Sequence, residues 1–423
     1  MNVLEAARAR IDQLLGEFDY LYVSFSGGKD SGALLNLALE RARLANRRIG
    51  IFHIDYEAQY QATTDYVAAT LTDLRDECDI WHICLPLAAQ CATSMHQDHW
   101  TPWHPEQRDL WVRSLPDAAM TLESAPDFFI QGMWDYDFQE LFGGWLKRRI
   151  GVESVACLVG IRSQESLNRW RAIWRDDRVK VHAGLKWTRI IEPGVVNAYP
   201  IHDWLIEDIW TANARFGWRY NSLYDLFNKA GVPLHKMRVA SPFNDCATES
   251  LKLYRAIDPN TWGKMVGRVN GVNFAGIYGG TTAMGWKSIK KPPGHTWKSY
   301  MEFLLGTMPD ETADNYRRKL DVSLKFWKER GGVLADDTIA QAAAAGVKFS
   351  QHETTSYRTA KKTVRFEDYP DDMEIDNFAA VPSYKRMCVC IMKNDHTCKY
   401  MGFAQTKIET DRRRAALLKY QGL

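Results

Sequence analysis

A chain of 423 residues is too long for one hydrophobic core and predicts two or three domains. Hydrophobic residues at 46%, charged residues at 25% and a net charge of +2 are those of an ordinary globular protein, with no global signal for nucleic acid. No apolar run is long enough to cross a membrane, the first ten residues lack a signal-peptide core, and eight cysteines without a signal point to reduced thiols in a cytoplasm.

The chain opens with an amphipathic helix over residues 1 to about 18. Tyr22-Val23-Ser24-Phe25 then reads as a buried strand, Ser26-Gly27-Gly28-Lys29-Asp30-Ser31 as a tight glycine turn, and Ser31 to about Ala45 as a helix. Strand, glycine turn and helix together aim backbone N–H groups and the positive end of a helix dipole at one point, so an anion is expected there. With Lys29 beside it, that anion is expected to be phosphate. The turn is not a Walker A loop, because Val23 stands where that loop needs its first glycine. A plain strand–turn–helix connection remains the bland alternative, its glycines serving only the turn.

Ile49 to Asp55 reads as a second parallel strand, with Asp55 at the C-terminal end, where open α/β sheets bind ligands. His53 within that run reads as a core histidine rather than a ligand. A helix from about Gln59 to Asp76 and a third strand, Ile80 to Leu85, continue the alternation and argue for a doubly wound parallel sheet. Residues 86 to about 135 interrupt it with an aromatic, proline-bearing insertion. Cys91, His96, His99 and His104 lie in that stretch, but their spacing fits no standard zinc pattern, so a lid or loop built on tryptophans is preferred. A helix is expected over Asp135 to Arg149, and a buried strand over Ser154 to Gly160.

That strand delivers Arg162, Ser163, Ser166 and Arg169 to the edge that carries the glycine turn. Two arginines spaced by hydroxyls suit the oxygens of a phosphate or sulfate, whereas a solvated helix start with Glu165 pairing Arg169 is the competing reading. Next, Pro200 is expected to end a strand and Asp203 to cap a helix beginning at Trp204. The domain boundary is placed near residue 235, giving a nucleotide-binding domain over 1–235 and a mainly helical one over 236–423. Within the latter, helices are expected from Asp258-Pro259, over about Trp297 to Gly306, over Asp310 to Arg330, and last over about Thr406 to Leu418; residues 354 to 376 read as polar and irregular.

Ser26-Gly27-Gly28-Lys29-Asp30-Ser31, the Gly160-x-Arg162-x-x-x-Ser166-x-x-Arg169 block and Tyr199-Pro200-Ile201-His202-Asp203-Trp204 resemble, in that order, blocks of the PAPS reductase and N-type ATP pyrophosphatase superfamily. With Thr261-Trp262-Gly263-Lys264, Gly294-His295-Thr296-Trp297 and Lys393-Asn394-Asp395, the chain is similar to one branch, the IbrA (immunoglobulin-binding regulator A) type. The resemblance implies an adenine nucleotide alpha-hydrolase-like α/β sheet that binds ATP or PAPS with Mg²⁺. It implies nucleotide contacts from Ser24, Ser26, Gly27, Gly28, Lys29, Asp30, Ser31, Asp55, Gly160, Arg162 and Ser166, with Lys29, Asp30, Arg162 and Arg169 acting in catalysis. Asp30 or a nearby acid would share Mg²⁺, and Asp55 would lie near the ribose or adenine. A ParB-like (IbrB-type) partner is a further implication.

The chain lacks the Cys-Gly dipeptide of a sulfonucleotide reductase and the Cys-Cys pair of its iron–sulfur form. The expected reaction is therefore adenylation of an acceptor, nucleic acid being one candidate, with release of pyrophosphate. A PAPS reductase or PAPS-binding protein and a nucleotide-gated regulator are the rivals. Cys388, Cys390 and Cys398 sit among Lys385, Arg386 and Lys393, whose charges would favour thiolate. They read as buried structural thiols, as zinc or iron–sulfur ligands, or as redox groups. Lys399, Lys407, Arg412, Arg413, Arg414 and Lys419 read as a solvated helix face or a patch for nucleic acid.

Overall fold

A computed structural model describes residues 2–165, 169–170, 173, 181–244, 247, 250–278, 289–352, 363–372, 381–398 and 401. The chain divides into two compact units. The first holds Met1–Ala89, Thr101–Pro242 and Leu253–Arg268; the second holds Gln90–Trp100, Phe243–Lys252 and Val269–Leu423.

In the first unit, strands β1 (Tyr20–Ser24), β2 (Ile49–Ile54), β3 (Cys78–Ile83), β4 (Val155–Val159), β5 (Thr188–Glu192) and β6 (Val195–Ala198) form one sheet in the order β3-β2-β1-β4-β6-β5. All neighbours pair in parallel except β5 with β6. Alternation along β1 sends Leu21 and Val23 to one face, where they share a core with Ile11 of helix α1 (Val3–Glu17), Leu34 and Leu37 of α2 (Lys29–Leu44), Val67 of α3 (Gln61–Leu74) and Ile209 of a later helix. Tyr22 and Phe52 face the other way and pack edge-on or tilted against Phe142 of α4 (Asp135–Ile150). Helices thus cover both faces, and the architecture is an α/β doubly wound, mostly parallel sheet. Strand order reverses between β1 and β4, so the crevice outside their C-terminal ends is the topological switch point.

The elements follow local chemistry. The Asn2 side chain accepts from Glu5 N while Glu5 reaches back to Asn2 N, a capping box that starts α1. Helix α4 carries Lys147, Arg148 and Arg149 in its last turn and stops at Gly151, which has φ +70°. Asp203, expected to cap a helix at Trp204, does something else. The helix there is α5 (Ile206–Phe216), where Asp208 accepts from Leu205 N at 2.7 Å, while Asp203 takes both terminal nitrogens of Arg10 at 2.8 and 2.7 Å. A fork-to-carboxylate ion pair outcompetes a single capping bond.

The second unit is mostly helical. Helices Trp297–Gly306, Asp310–Glu329 and Tyr384–Met392 contribute Met301, Leu305, Tyr316, Leu320, Met387 and Ile391 to a shared core. The stretch expected to be irregular contains strand Thr363–Arg365, which lies between Gly332–Val333 and Ser350–His352 in a small antiparallel sheet. Val364 and Phe366 bury beside it, so two apolar residues in a polar context suffice to fix an interior strand. The expected last helix, with Lys407, Arg412, Arg413, Arg414 and Lys419, and Lys399 lie outside the described residues.

Candidate functional site

The glycine turn leaves β1 with Phe25 N still donating to Phe52 O at 2.8 Å. Gly27 then adopts φ +74°, and a Cβ there would stand 2.7 Å from Val67 Cγ2, so both conformation and space require glycine. Ser31 Oγ accepts from Ser26 N at 3.1 Å and lies 3.0 Å from Ser26 Oγ, which accepts from Gly28 N at 3.3 Å. These bonds wind the turn so that α2 begins at Lys29, with no side chain capping it from Gly28. First-turn N–H groups have no intrahelical acceptor, and the dipole adds its positive end at the same place.

Two residues that sequence reasoning missed hold this turn from outside. Asn221 Nδ2 donates to Gly27 O at 3.0 Å and to Thr63 Oγ1 at 2.9 Å. The Tyr224 hydroxyl accepts from Lys29 N at 2.9 Å, and its ring centroid is 5.7 Å from Lys29 Nζ. Both follow α5 by a few residues in a Tyr-Asn-Ser-Leu-Tyr run that carries no signature of its own.

The end of β4 meets the turn at the switch point. A Cβ on Gly160 would stand 3.0 Å from Ser31 N and 3.1 Å from Asp30 C, so this glycine lets backbone approach backbone. Two residues on, Arg162 Nε reaches Asp30 Oδ1 at 2.5 Å, while Lys29 Nζ reaches Asp30 Oδ2 at 2.9 Å. Lys29, Asp30 and Arg162 are all buried. Burial works to raise the Asp30 carboxyl, yet Lys29 and Arg162 outweigh it and hold it below the ordinary carboxylate range. The structure therefore brings Ser26, Gly27, Gly28, Lys29, Asp30, Ser31, Gly160 and Arg162 together. Ser24 ends β1 just below them. Arg169 pairs with Glu165 at i,i+4, and Glu165 also lies 3.8 Å from Arg162. Ser166 lies outside the described residues.

Asp55 stands one strand away, in a second polar cluster. Its Oδ2 is 2.9 Å from His82 Nε2, and its Oδ1 accepts from Arg113 and, at 2.9 Å, from Glu57 N. Burial would raise this carboxyl, but the His82 bond and the Arg113 charge hold it well below its usual range. His53 Nδ1 lies 2.7 Å from Phe25 O, and burial, helped by neighbouring His82, pushes its imidazole down to about 4. Glu57 beside them is fully buried and accepts from Trp103 N, Val112 N and the Arg268 guanidinium at 2.7, 2.9 and 2.9 Å. Trp103 and Val112 of the expected lid are thus bound into the interior, while residues 105–110 between them are exposed. Of the four metal candidates in the insertion, Cys91, His96 and His99 belong to the second unit and His104 to the first.

The C-terminal cysteines are interior. Cys388, Cys390 and Cys398 are all fully buried. Cys388 Sγ contacts Trp297 O at 3.5 Å, and Cys390 Sγ lies 3.8 Å from Asp395 Oδ2. The activation expected from nearby lysines and arginines is overridden. Burial, with Asp371 adding to it, pushes the Cys388 thiol up to about 12, and burial beside Cys398 raises Cys390 well above its usual value.

Residues 231–412 match a family described as a domain of unknown function, DUF3440. Over 416 residues the chain is 34% identical to the Escherichia coli (strain K12) protein described as uncharacterized protein YbdN, covering 96% of this chain and 92% of that one. Among solved structures, phosphoadenylyl-sulfate (PAPS) reductase from Candida auris, in a phosphate complex, aligns at 14% identity with a TM-score of 0.30, over 52% of this chain and 84% of that one. Candida glabrata FMN adenylyltransferase with ATP aligns at 14% and 0.30, over 52% and 57%. The U34-tRNA thiolase NcsA of Methanococcus maripaludis, with its [4Fe-4S] cluster, aligns at 11% and 0.31, over 64% and 79%.

Proposed function

We propose, for a chain that belongs to the family of Escherichia coli YbdN, a nucleotide-binding enzyme of the pyrophosphate-loop type that cleaves ATP between its α- and β-phosphates. The observation that carries this reading is the convergence at the switch point. Gly160 lies against the first turn of α2, and Arg162 and Lys29 flank that turn, bonded to opposite oxygens of Asp30. In this reading the β,γ-phosphates rest on the helix N-terminus, where N–H groups, dipole, ammonium and guanidinium meet their charge. An acceptor oxygen attacks the α-phosphorus, the bond to the β-phosphate breaks, and pyrophosphate leaves with that bond's electrons. The same cations then stabilise the charge gathering on the leaving group, and because Asp30 already holds them, little reorganisation is needed.

Mg²⁺ accompanies ATP, but Asp30 does not fit the role of its ligand. Both carboxylate oxygens are engaged by cations, so no step is assigned to the metal. The IbrA-type resemblance, a ParB-like partner and a nucleic-acid acceptor belong to the acceptor side of this reading. Sulfonucleotide reduction is the weaker alternative, because Cys388, Cys390 and Cys398 are fully buried and burial raises the Cys388 and Cys390 thiols.

The test is pyrophosphate release from ATP, measured with the full chain alone and with candidate nucleic acids, beside equilibrium binding of ATP and PAPS. Lys29→Ala removes a charge-assisted contact and is expected to weaken ATP binding about ten- to a hundredfold. Unchanged affinity would remove the anion site from the loop. Tight ATP binding with no pyrophosphate under every condition would leave a nucleotide-gated regulator instead of an enzyme.

A further inference from the structure

We propose that His53, Asp55 and His82 form a binding site for a divalent first-row transition metal of zinc-like preference. The proposal begins with register. β2 and β3 run parallel with His53 opposite His82, so their side chains leave the same face of the sheet. Asp55 lies two positions beyond His53, on the same side of the pleat. One ligand atom from each residue lies within 4.8 Å of the other two, and all three residues are buried. Among the described residues, no other group of three histidine, cysteine or acidic side chains meets that condition.

Two of the three ligands, His53 and Asp55, are already aimed by a second partner, as metal ligands are. Phe25 O can only accept, so the 2.7 Å contact fixes the proton of His53 on Nδ1 and leaves the lone pair on Nε2. Arg113 and the Glu57 N–H hold Oδ1 of Asp55, which leaves Oδ2 turned toward His82 Nε2. A histidine–carboxylate hydrogen bond explains His82 and Asp55 by themselves. It does not explain a second buried imidazole set edge-on to His82, with ring centroids 5.2 Å apart and its tautomer fixed from behind. In a tetrahedral zinc site, ligand atoms about 2.0–2.2 Å from the ion stand roughly 3.4 Å from one another, so a bound ion would draw the three inward.

Two imidazoles and one carboxylate suit zinc or ferrous iron and leave at least one position open, the pattern of a reactive rather than a sealed site. Phe25 immediately precedes the phosphate loop, and the three residues stand at the C-terminal ends of β2 and β3, the ligand-binding edge of the sheet. His53 is buried, as the sequence reading expects of a core histidine, and the proposal adds a ligand role to it. This proposal does not rest on the nucleotide reading.

The experiment uses the full chain, stripped by chelator, then given zinc alone or cobalt(II) alone and desalted. One equivalent of zinc should remain. Cobalt should give visible d–d bands of a four- or five-coordinate ion, and X-ray absorption of the zinc form should fit nitrogen and oxygen neighbours. A wild-type chain that retains neither ion overturns the proposal, as does a first shell containing sulfur at about 2.3 Å, which would assign the ion to cysteines. His82→Ala and, separately, His53→Ala should each weaken zinc binding at least a hundredfold, and retention at wild-type affinity in both would also overturn it. If either variant fails to fold, the wild-type spectra decide. Lys29→Ala should lose nucleotide affinity and keep its zinc, so the two readings fail separately.

Discussion

The carboxylates of the first unit and the C-terminal thiols of the second are buried in different ways. In the first, Glu57 faces Arg268, Asp30 faces Lys29 and Arg162, and Asp55 faces Arg113, so each interior charge meets an opposite charge from a distant stretch of chain. In the second, Cys388 and Cys390 pack among Trp297, Tyr316 and Met387, and burial raises both thiols. The contrast teaches where chemistry is expected. Paired charges at a sheet edge can trade a protein partner for a ligand of the same sign, whereas a neutral thiol within an apolar core has nothing to trade.

The largest test of that contrast is Arg268→Met. It strands the fully buried Glu57 without its cation, and should cost about 3–5 kcal/mol in the unfolding of the first unit, read by urea denaturation. A loss below 1 kcal/mol would mean that the pair is not what fastens residues 101–113. Tyr224→Phe comes next. It deprives Lys29 N of a buried acceptor and should cost about 1–3 kcal/mol, with weakened ATP binding if the turn loosens.

Acid provides a graded version of the same test. The Asp30 carboxyl is held below its unfolded value of about 3.9, so its contribution is complete above about pH 4 and is lost as pH falls through its lower folded value. Denaturant midpoints measured downward from pH 5 should fall more steeply in the wild type than in Asp30→Asn. The smallest expected effect is in the second unit. Cys388→Ala should leave ATP binding and pyrophosphate release unchanged, and loss of either would restore a role for the thiols.

How much of this was legible depended on sequence distance. The strand, glycine turn and helix around Lys29 lie within a few residues of one another, so pattern alone revealed them. Arg162 was legible because it follows a buried strand directly. Glu57, Arg113 and Arg268 were not, because Glu57 meets its partners 46, 55 and 211 residues away and no local period encodes such a meeting. The acid's place in an otherwise aromatic and apolar run, Tyr56-Glu57-Ala58, was the available hint. Asp203 misled for a related reason. Its position just before a helix suggested a cap, but Arg10, 193 residues earlier in the chain, offered a stronger partner.

The central position of β1 also sets a clock. On one side it pairs with β2, with Tyr22 opposite Gly50, soon after both are made; on the other it pairs with β4, with Tyr20 opposite Val155. At translation rates of about 5–20 residues per second, the second neighbour arrives roughly seven to twenty-seven seconds after the first strand leaves the ribosome. Until then Asp30 has Lys29 but not Arg162, and Gly160 does not yet abut α2. A nascent chain shorter than about 160 residues therefore carries the glycine turn without Arg162, and Asn221 and Tyr224, which hold the turn, arrive later still; under the proposed reading, nucleotide affinity should switch on late in synthesis.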